Sequence, residues 1–182
     1  MNKRRDAIAL IGFMGAGKSS VGRTLARITG LSRFDTDEMV AARFGLTISE
    51  IFATHGEEKF REAETEALRE LSGKGQMIVV TGGGVVLRLE NVALLRELGT
   101  IVYLSADEET LFARISRKPT RPLLHTPNPR ATLTELLAKR LPFYRDAADV
   151  EVDTSQLRHD EVARTILNRI EEHGDGRKHS QG

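Results

Sequence analysis

Short unbroken apolar runs alternate along the chain with longer stretches in which apolar residues recur every three or four positions. Ala7–Ile11, Met77-Ile78-Val79-Val80 and Ile101-Val102-Tyr103-Leu104 are continuously apolar, as strands of a parallel sheet covered on both faces must be. Strands are predicted at 7–11, 33–35, 77–81, 100–104 and 150–152. Helices are predicted over 19–29, 37–44, 48–55, 57–71, 91–97, 108–116, 132–147 and 160–171. This alternation predicts a three-layer α/β/α fold around a mostly five-stranded parallel sheet, with right-handed crossovers. Ligands of such sheets sit beyond the carboxyl ends of the strands.

Two segments break the rhythm. Residues 38–72 hold more helical sequence than one crossover needs, so they are read as a small helical insert over one edge of the sheet. Residues 116–129, with Arg117-Lys118-Pro119-Thr120-Arg121-Pro122 and His125-Thr126-Pro127-Asn128-Pro129, are rich in proline and charge. With little apolar surface to hold them down, they are expected to form a mobile lid. Residues 1–173 then make a single domain, and 174–182, without an apolar anchor, a disordered tail.

The first strand runs into Gly12-Phe13-Met14-Gly15-Ala16-Gly17-Lys18-Ser19, and that into an amphipathic helix. Strand, glycine-rich loop and helix are the context in which G-x-x-x-x-G-K-[ST] reads as a phosphate-binding loop. Glycine permits φ > 0 and puts no β-carbon in the way of an anion. The loop N–H groups and the new helix then face the phosphates. Lys18 adds a full charge at the β- and γ-phosphates, and the Ser19 hydroxyl is placed to ligate Mg²⁺. The chain is therefore expected to bind a nucleoside triphosphate in a P-loop fold.

Composition narrows the rest. The 182 residues suit one domain, and 27 basic against 26 acidic residues leave no excess to seek nucleic acid or an anionic membrane. There is no cysteine, which excludes disulfides and thiolate metal sites. The apolar run behind the basic start is too short for a signal segment and is cut by Gly12. A cytoplasmic protein, acting as a monomer on small molecules, is expected.

Other residues carry chemistry only in combination. Asp35 and Asp37 end a strand at the ligand edge: one can complete a Mg²⁺ site through water, the other take a proton from an attacking hydroxyl. Both residues would also serve as ordinary helix caps. Arg61 and Glu64 share a helix face and can pair, as many surface residues do. Three consecutive glycines, Gly82-Gly83-Gly84, cost entropy that a plain turn does not require, which points to close backbone approach of a ligand. Arg121, in the lid, either swings onto a transferring phosphoryl group or is solvated. Arg140 precedes Pro142, where a kink or break is expected, and by itself reads as surface charge.

Taken together and in order, these pieces resemble the shikimate kinase family. The family pattern is a Walker loop, D-x-D, F-R-x-x-E, G-G-G, an R-P-L-L lid and R-x-x-x-Y. It is matched by Gly12–Ser19, Asp35/Asp37, Phe60-Arg61/Glu64, Gly82–Gly84, Arg121–Leu124 and Arg140/Tyr144. The resemblance implies transfer of the ATP γ-phosphoryl group to the 3-hydroxyl of shikimate, in the pathway to chorismate and the aromatic amino acids. It implies that Asp37, Lys18 and Arg121 are catalytic, with Asp37 as base. Arg61, Arg140, Gly82, Gly83, Gly84 and Asp37 are then the shikimate site, with two guanidiniums gripping the carboxylate. The nucleotide site is Gly12, Met14, Gly15, Ala16, Gly17, Lys18, Ser19, Ser20, Arg114, Arg121 and Arg158. Mg²⁺ is implied at Ser19, with Asp35 acting through water. Arg114 matches an arginine that stacks on adenine in relatives. One departure is visible: Arg158 and His159 stand where relatives often place a proline beside the base. Competing readings are another small P-loop kinase, such as a gluconate or nucleoside monophosphate kinase, and a nucleotide-dependent regulatory module without transfer activity.

Overall fold

The computed structural model describes residues 7–117 and 126–178. Among these residues five strands form one parallel sheet: β1 (Ala7–Ile11), β2 (Ser32–Asp35), β3 (Met77–Val80), β4 (Gly99–Ser105) and β5 (Val150–Asp153), in the order β2-β3-β1-β4-β5. The predicted runs, apolar enough for burial on both faces, became the three inner strands. Ala7 stands opposite Met77 on one side and Gly99 on the other, and Ile11 reaches Tyr103. The chain thus departs from β1 in both directions across the sheet. That puts the loop after β1 at the switch point where such folds bind ligands.

Among the described residues seven helices surround the sheet: α1 (Lys18–Thr29), α2 (Thr36–Phe44), α3 (Ile48–Leu71), α4 (Leu89–Leu98), α5 (Glu108–Ser116), α6 (Pro129–Ala147) and α7 (His159–Lys178). A 3₁₀ turn, Val85–Leu87, precedes α4. The main core joins both faces of the sheet to these helices through Leu10, Val21, Leu25, Ile78, Leu95, Val102, Tyr144 and Ile166, all essentially without solvent exposure. Helix α1 lies unusually close to β3: a β-carbon on Gly22 would stand 2.5 Å from Val80 Cγ2. None of the helices among the described residues is long and apolar enough to cross a membrane.

The insert has a small core of its own. Val40, Ile51, Phe60, Ala63 and Ala67 pack together, separate from the main cluster. Leu68 and Leu71 at the end of α3 belong to the main core, so the insert is anchored by that end. The two helices predicted over 48–55 and 57–71 meet at Gly56, whose φ of 80° and ψ of 168° interrupt α3. A left-handed φ of this kind suits glycine, which lacks the β-carbon that penalises it.

Beyond shifts of a residue or two at element ends, three features differ from the sequence expectation. Helix α6 continues through Pro142, where a kink or break is predicted, because Leu133, Tyr144 and Ala147 bury its inner face on both sides of the proline. It also starts at Pro129, with the Asn128 side chain accepting from the Ala131 N–H at 3.1 Å. Helix α7 runs to Lys178 across the start of the expected disordered tail. Extending an existing helix fixes one residue per hydrogen bond, so no new apolar anchor is required. Most of the expected lid, residues 118–125 with Arg121, lies outside the described residues.

Candidate active site

Between β1 and α1 the chain takes three left-handed steps, at Gly12 (φ 143°), Gly15 (φ 85°) and Gly17 (φ 93°). Space demands the first as firmly as φ does and leaves little room at the second. A β-carbon at Gly12 would lie 2.5 Å from the Leu104 carbonyl oxygen, and one at Gly15 3.1 Å from Ile115. Helix α1 then begins at Lys18 with no side-chain cap and no acidic residue in its first turn. Its leading N–H groups and dipole are therefore presented to the cavity with no internal carboxylate competing. Lys18 is buried, and its ammonium donates to the carbonyls of Gly12 (2.7 Å) and Phe13 (3.0 Å). These contacts hold the charge inside the curve of the loop.

A cavity of about 440 Å³ opens over this loop. Met14, Gly15, Gly17, Lys18, Ser19 and Ser20 line one wall, Asp35, Asp37 and Glu38 another, and Thr81, Gly83, Arg114, Ile115 and His159 the rest. Ala16 is buried beneath. The geometry therefore brings together the predicted loop, the D-x-D pair, the middle glycine and Arg114.

Asp35 is an N-cap, one of the two roles the sequence left open. Its side chain caps α2, accepting from the N–H groups of Asp37 (3.1 Å) and Glu38 (3.5 Å), and its other oxygen pairs with Arg33 at 3.1 Å. Burial pushes its carboxyl above the usual value, with the Glu38 charge adding to the effect and the amide donors opposing it. It still contributes to the cavity wall.

Beside this wall lies the glycine triplet. None of Gly82, Gly83 and Gly84 has a positive φ, so conformational freedom is not why they are glycines. A β-carbon on Gly82 would lie 2.7 Å from Asp37 Oδ1 and 2.7 Å from Glu64 Oε1, and one on Gly84 would overlap the Arg61 guanidinium. The close approach the sequence suggested is made, at these two positions, by the chain's own charged side chains. Gly83 is the exception. It faces the cavity, with the Gly12 carbonyl and the Met14 amide 3.6 Å from where its β-carbon would be.

Arg61 pairs with Glu64 at 2.9 Å and with Glu57 at 3.3 Å, and Glu64 is fully buried. Burial raises the Glu64 carboxyl above its ordinary value, Arg61 pulls it down, and Asp37 raises it further. The pair is thus an internal, oriented one. Arg140 comes from α6 on the other side: its guanidinium sits over the Phe13 ring at 5.8 Å and reaches the Gly83 carbonyl at 3.5 Å. Among the described residues no carboxylate pairs with it. Arg61 and Arg140 therefore flank the glycine triplet from opposite sides.

Arg114 is fixed by three donations, to Thr154 Oγ1 (3.0 Å), the Thr154 carbonyl (2.7 Å) and the Gly15 carbonyl (3.4 Å). Arg158 is not brought to the cavity. Its side chain is 84% exposed and lies 3.6 Å from Asp160, while its N–H donates to Glu161 and so caps α7. The cap turns Arg158 outward and His159, the next residue, inward. Its imidazole stands 3.9 Å from where a Gly17 β-carbon would be. Sequence reasoning missed Thr81, buried with its hydroxyl donating to the Leu10 carbonyl, although its place between β3 and the glycines was a signal. It also missed Thr154, visible only as part of the last strand's V-D-T.

A family model described as shikimate kinase matches residues 14–171. The chain belongs to the shikimate kinase family. Shikimate kinase of Thermodesulfovibrio yellowstonii is 42% identical over 170 residues, covering 93% of this chain and 98% of that one. The Methylococcus capsulatus enzyme of the same name is 43% identical over 174 residues, covering 96% and 97%. Among solved structures, shikimate kinase from Acinetobacter baumannii in complex with shikimate superposes with a TM-score of 0.87 at 38% identity, covering 92% and 93%. A gluconokinase from Sinorhizobium meliloti reaches a TM-score of 0.57 at 18% identity, which shows a shared fold and nothing about acceptor. The chain is thus a kinase of this family.

Proposed function

We propose that this kinase transfers the γ-phosphoryl group of ATP to the 3-hydroxyl of shikimate, releasing ADP and shikimate 3-phosphate on the route to chorismate. The observation that carries the reading is one cavity holding a phosphate loop and Asp37, with the Arg61–Glu64 pair and Arg140 closing on the glycine triplet beside it.

The nucleotide phosphates lie in the curve of 12–19, against the α1 N-terminus and the Lys18 ammonium. The base lies toward Arg114 and His159. Mg²⁺ fits the donors present: a hydroxyl at Ser19 and a carboxylate at Asp35 suit an ion that keeps several waters and binds protein through few oxygens. The described residues offer no cluster of three metal-binding side chains, which agrees with an ion carried in on the phosphates. When bound, it neutralises phosphate charge.

Shikimate lies over Gly83. Its carboxylate meets Arg61 and Arg140, whose planar forks suit two-point grip of a carboxylate. Asp37 receives the hydroxyls, orients the 3-hydroxyl toward the γ-phosphorus and takes its proton as the bond to phosphorus forms. Phosphoryl transfer depends mainly on such positioning and charge stabilisation. Arg121, outside the described residues, is assigned to the closing lid, where it offsets charge on the phosphates and helps exclude water. Residues 1–173 act as a single kinase domain and a cytoplasmic monomer, without nucleic-acid or membrane partners.

ADP release measured with MgATP and shikimate, quinate, gluconate or AMP tests the reading. Turnover with shikimate alone supports it. Turnover with AMP instead overturns the carboxylate clamp, turnover with gluconate instead overturns shikimate as the acceptor, and acceptor-independent hydrolysis overturns transfer altogether.

A further inference from the structure

The loop 82–85 has no side chains at its three glycines with which to pack, and strand pairing stops at Val80 and Thr81. What holds it are buried side chains from the elements that carry the acceptor-binding residues. From α6, one turn beyond Arg140, the Tyr144 hydroxyl donates to the Gly83 carbonyl. Tyr144 is fully buried, and its ring stacks on Tyr103 at 5.1 Å with 15° between the planes. From α3, one turn beyond Arg61, the Thr65 hydroxyl donates to Asn91 Oδ1 at 2.7 Å, and Asn91 Nδ2 donates to the Val85 carbonyl at 3.2 Å. Asn91 is likewise without solvent exposure. From α2, Thr36, beside Asp37, accepts a longer bond from the Gly82 N–H at 3.4 Å.

We propose that Tyr144 and Asn91 are positioning residues that register the glycine loop against Arg61, Arg140 and Asp37, and so set affinity for the acceptor independently of the nucleotide. The inference rests on the shikimate site described under Proposed function. Its physical basis is geometric. Gly83 forms the cavity floor, Gly84 touches the Arg61 guanidinium, and Gly82 touches Asp37. A loop displaced by less than an ångström therefore moves every acceptor contact at once. The phosphate loop is built from a different crossover and has its own hydrogen bonds, from the Lys18 ammonium to the Gly12 carbonyl and from the Thr154 hydroxyl to the Ala16 carbonyl. Neither Tyr144 nor Asn91 lines the cavity, so neither is a binding residue.

The test is steady-state kinetics of Tyr144→Phe and Thr65→Val, with shikimate and MgATP varied separately and folding checked by thermal melting. Thr65→Val removes the donor that orients Asn91, and Thr65→Ser restores it. Loss of one buried hydrogen bond is expected to raise the KM for shikimate about fivefold in each of the first two variants. The KM for MgATP stays at its wild-type value, and Thr65→Ser recovers the KM for shikimate. If Tyr144→Phe does not fold, the Thr65 pair carries the test. Folded variants in which both KM values rise together, or neither moves, overturn the positioning role. A wild-type enzyme without shikimate turnover overturns the substrate reading instead, so the two failures are distinguishable.

Discussion

The carboxylates of Asp37 and Glu64 flank the Gly82 α-carbon, each with an oxygen 2.7 Å from where a β-carbon would stand. Asp37 raises the carboxyl of Glu64, so the two acids feel each other across that glycine, and Arg61 offsets the repulsion. The site is thus a compact charge cluster built around a residue with no side chain.

Gly82→Ala should force both carboxylates away from the loop. Misplacement of a reacting group by about an ångström costs roughly 100-fold in rate, so kcat is expected to fall by that order while ATP affinity is kept. Turnover assays paired with ATP titration calorimetry check this. Unchanged kcat would mean that Asp37 tolerates the shift and is not the base.

Asp37→Asn keeps shape and removes the proton acceptor. Loss of a general base lowers turnover by about 10²- to 10⁴-fold, and ATP binding should survive because the phosphate loop is untouched. Single-turnover phosphoryl transfer is the measurement. A normal rate rules out the assignment.

Arg140→Ala should weaken shikimate, and an analogue with a hydroxymethyl group in place of the carboxylate should bind wild type and variant alike. A hydrogen bond to a charged group contributes about 1.5–3 kcal/mol, so the KM for shikimate should rise roughly 10- to 100-fold. Equal losses for acid and analogue would place Arg140 outside the carboxylate grip.

Stability should carry the signature of Glu64. Burial, with Asp37 adding, raises its carboxyl above the ordinary 4.5 despite Arg61. A carboxyl raised on folding binds its proton more tightly in the folded state. Its contribution is complete below 4.5 and is lost as pH rises through the folded-state value. Urea unfolding across that interval should show wild type losing stability relative to Glu64→Gln. Asp35, raised in the same direction, is common to both proteins and cancels. Parallel curves would mean that Arg61 compensates the burial in full.

Much of this molecule was legible along the chain because its signals are local. The unbroken apolar runs read as strands buried on two faces, and all five predicted strands appear, four of them unchanged at one end or both. Gly12, Gly15 and Gly17 announced positive φ because no other residue takes it cheaply. The insert was visible as surplus helix between two strands, and the order of six short motifs pointed to the family that the comparisons show.

Tertiary structure decided what depended on distant neighbours. The glycine triplet looked like a backbone approach to a ligand. Only folding placed Asp37, Glu64 and Arg61 where side chains at 82 and 84 would stand. Arg158 read as the nucleotide contact until the first turn of α7 sent it outward to Asp160 and placed His159 at the cavity instead. Pro142 read as a break because propensity counts one lost hydrogen bond, whereas burial of Tyr144 and Ala147 holds the helix through it. Asn91 carried no sequence signal at all, since a polar residue early in a helix is ordinary. Its meaning lies in Thr65 and Val85, 26 and 6 residues away. Periodicity and φ preference are properties of neighbours in sequence, and the sequence determined them; hydrogen-bond partners and excluded volume are properties of neighbours in space, and only the packed sheet and helices could choose those.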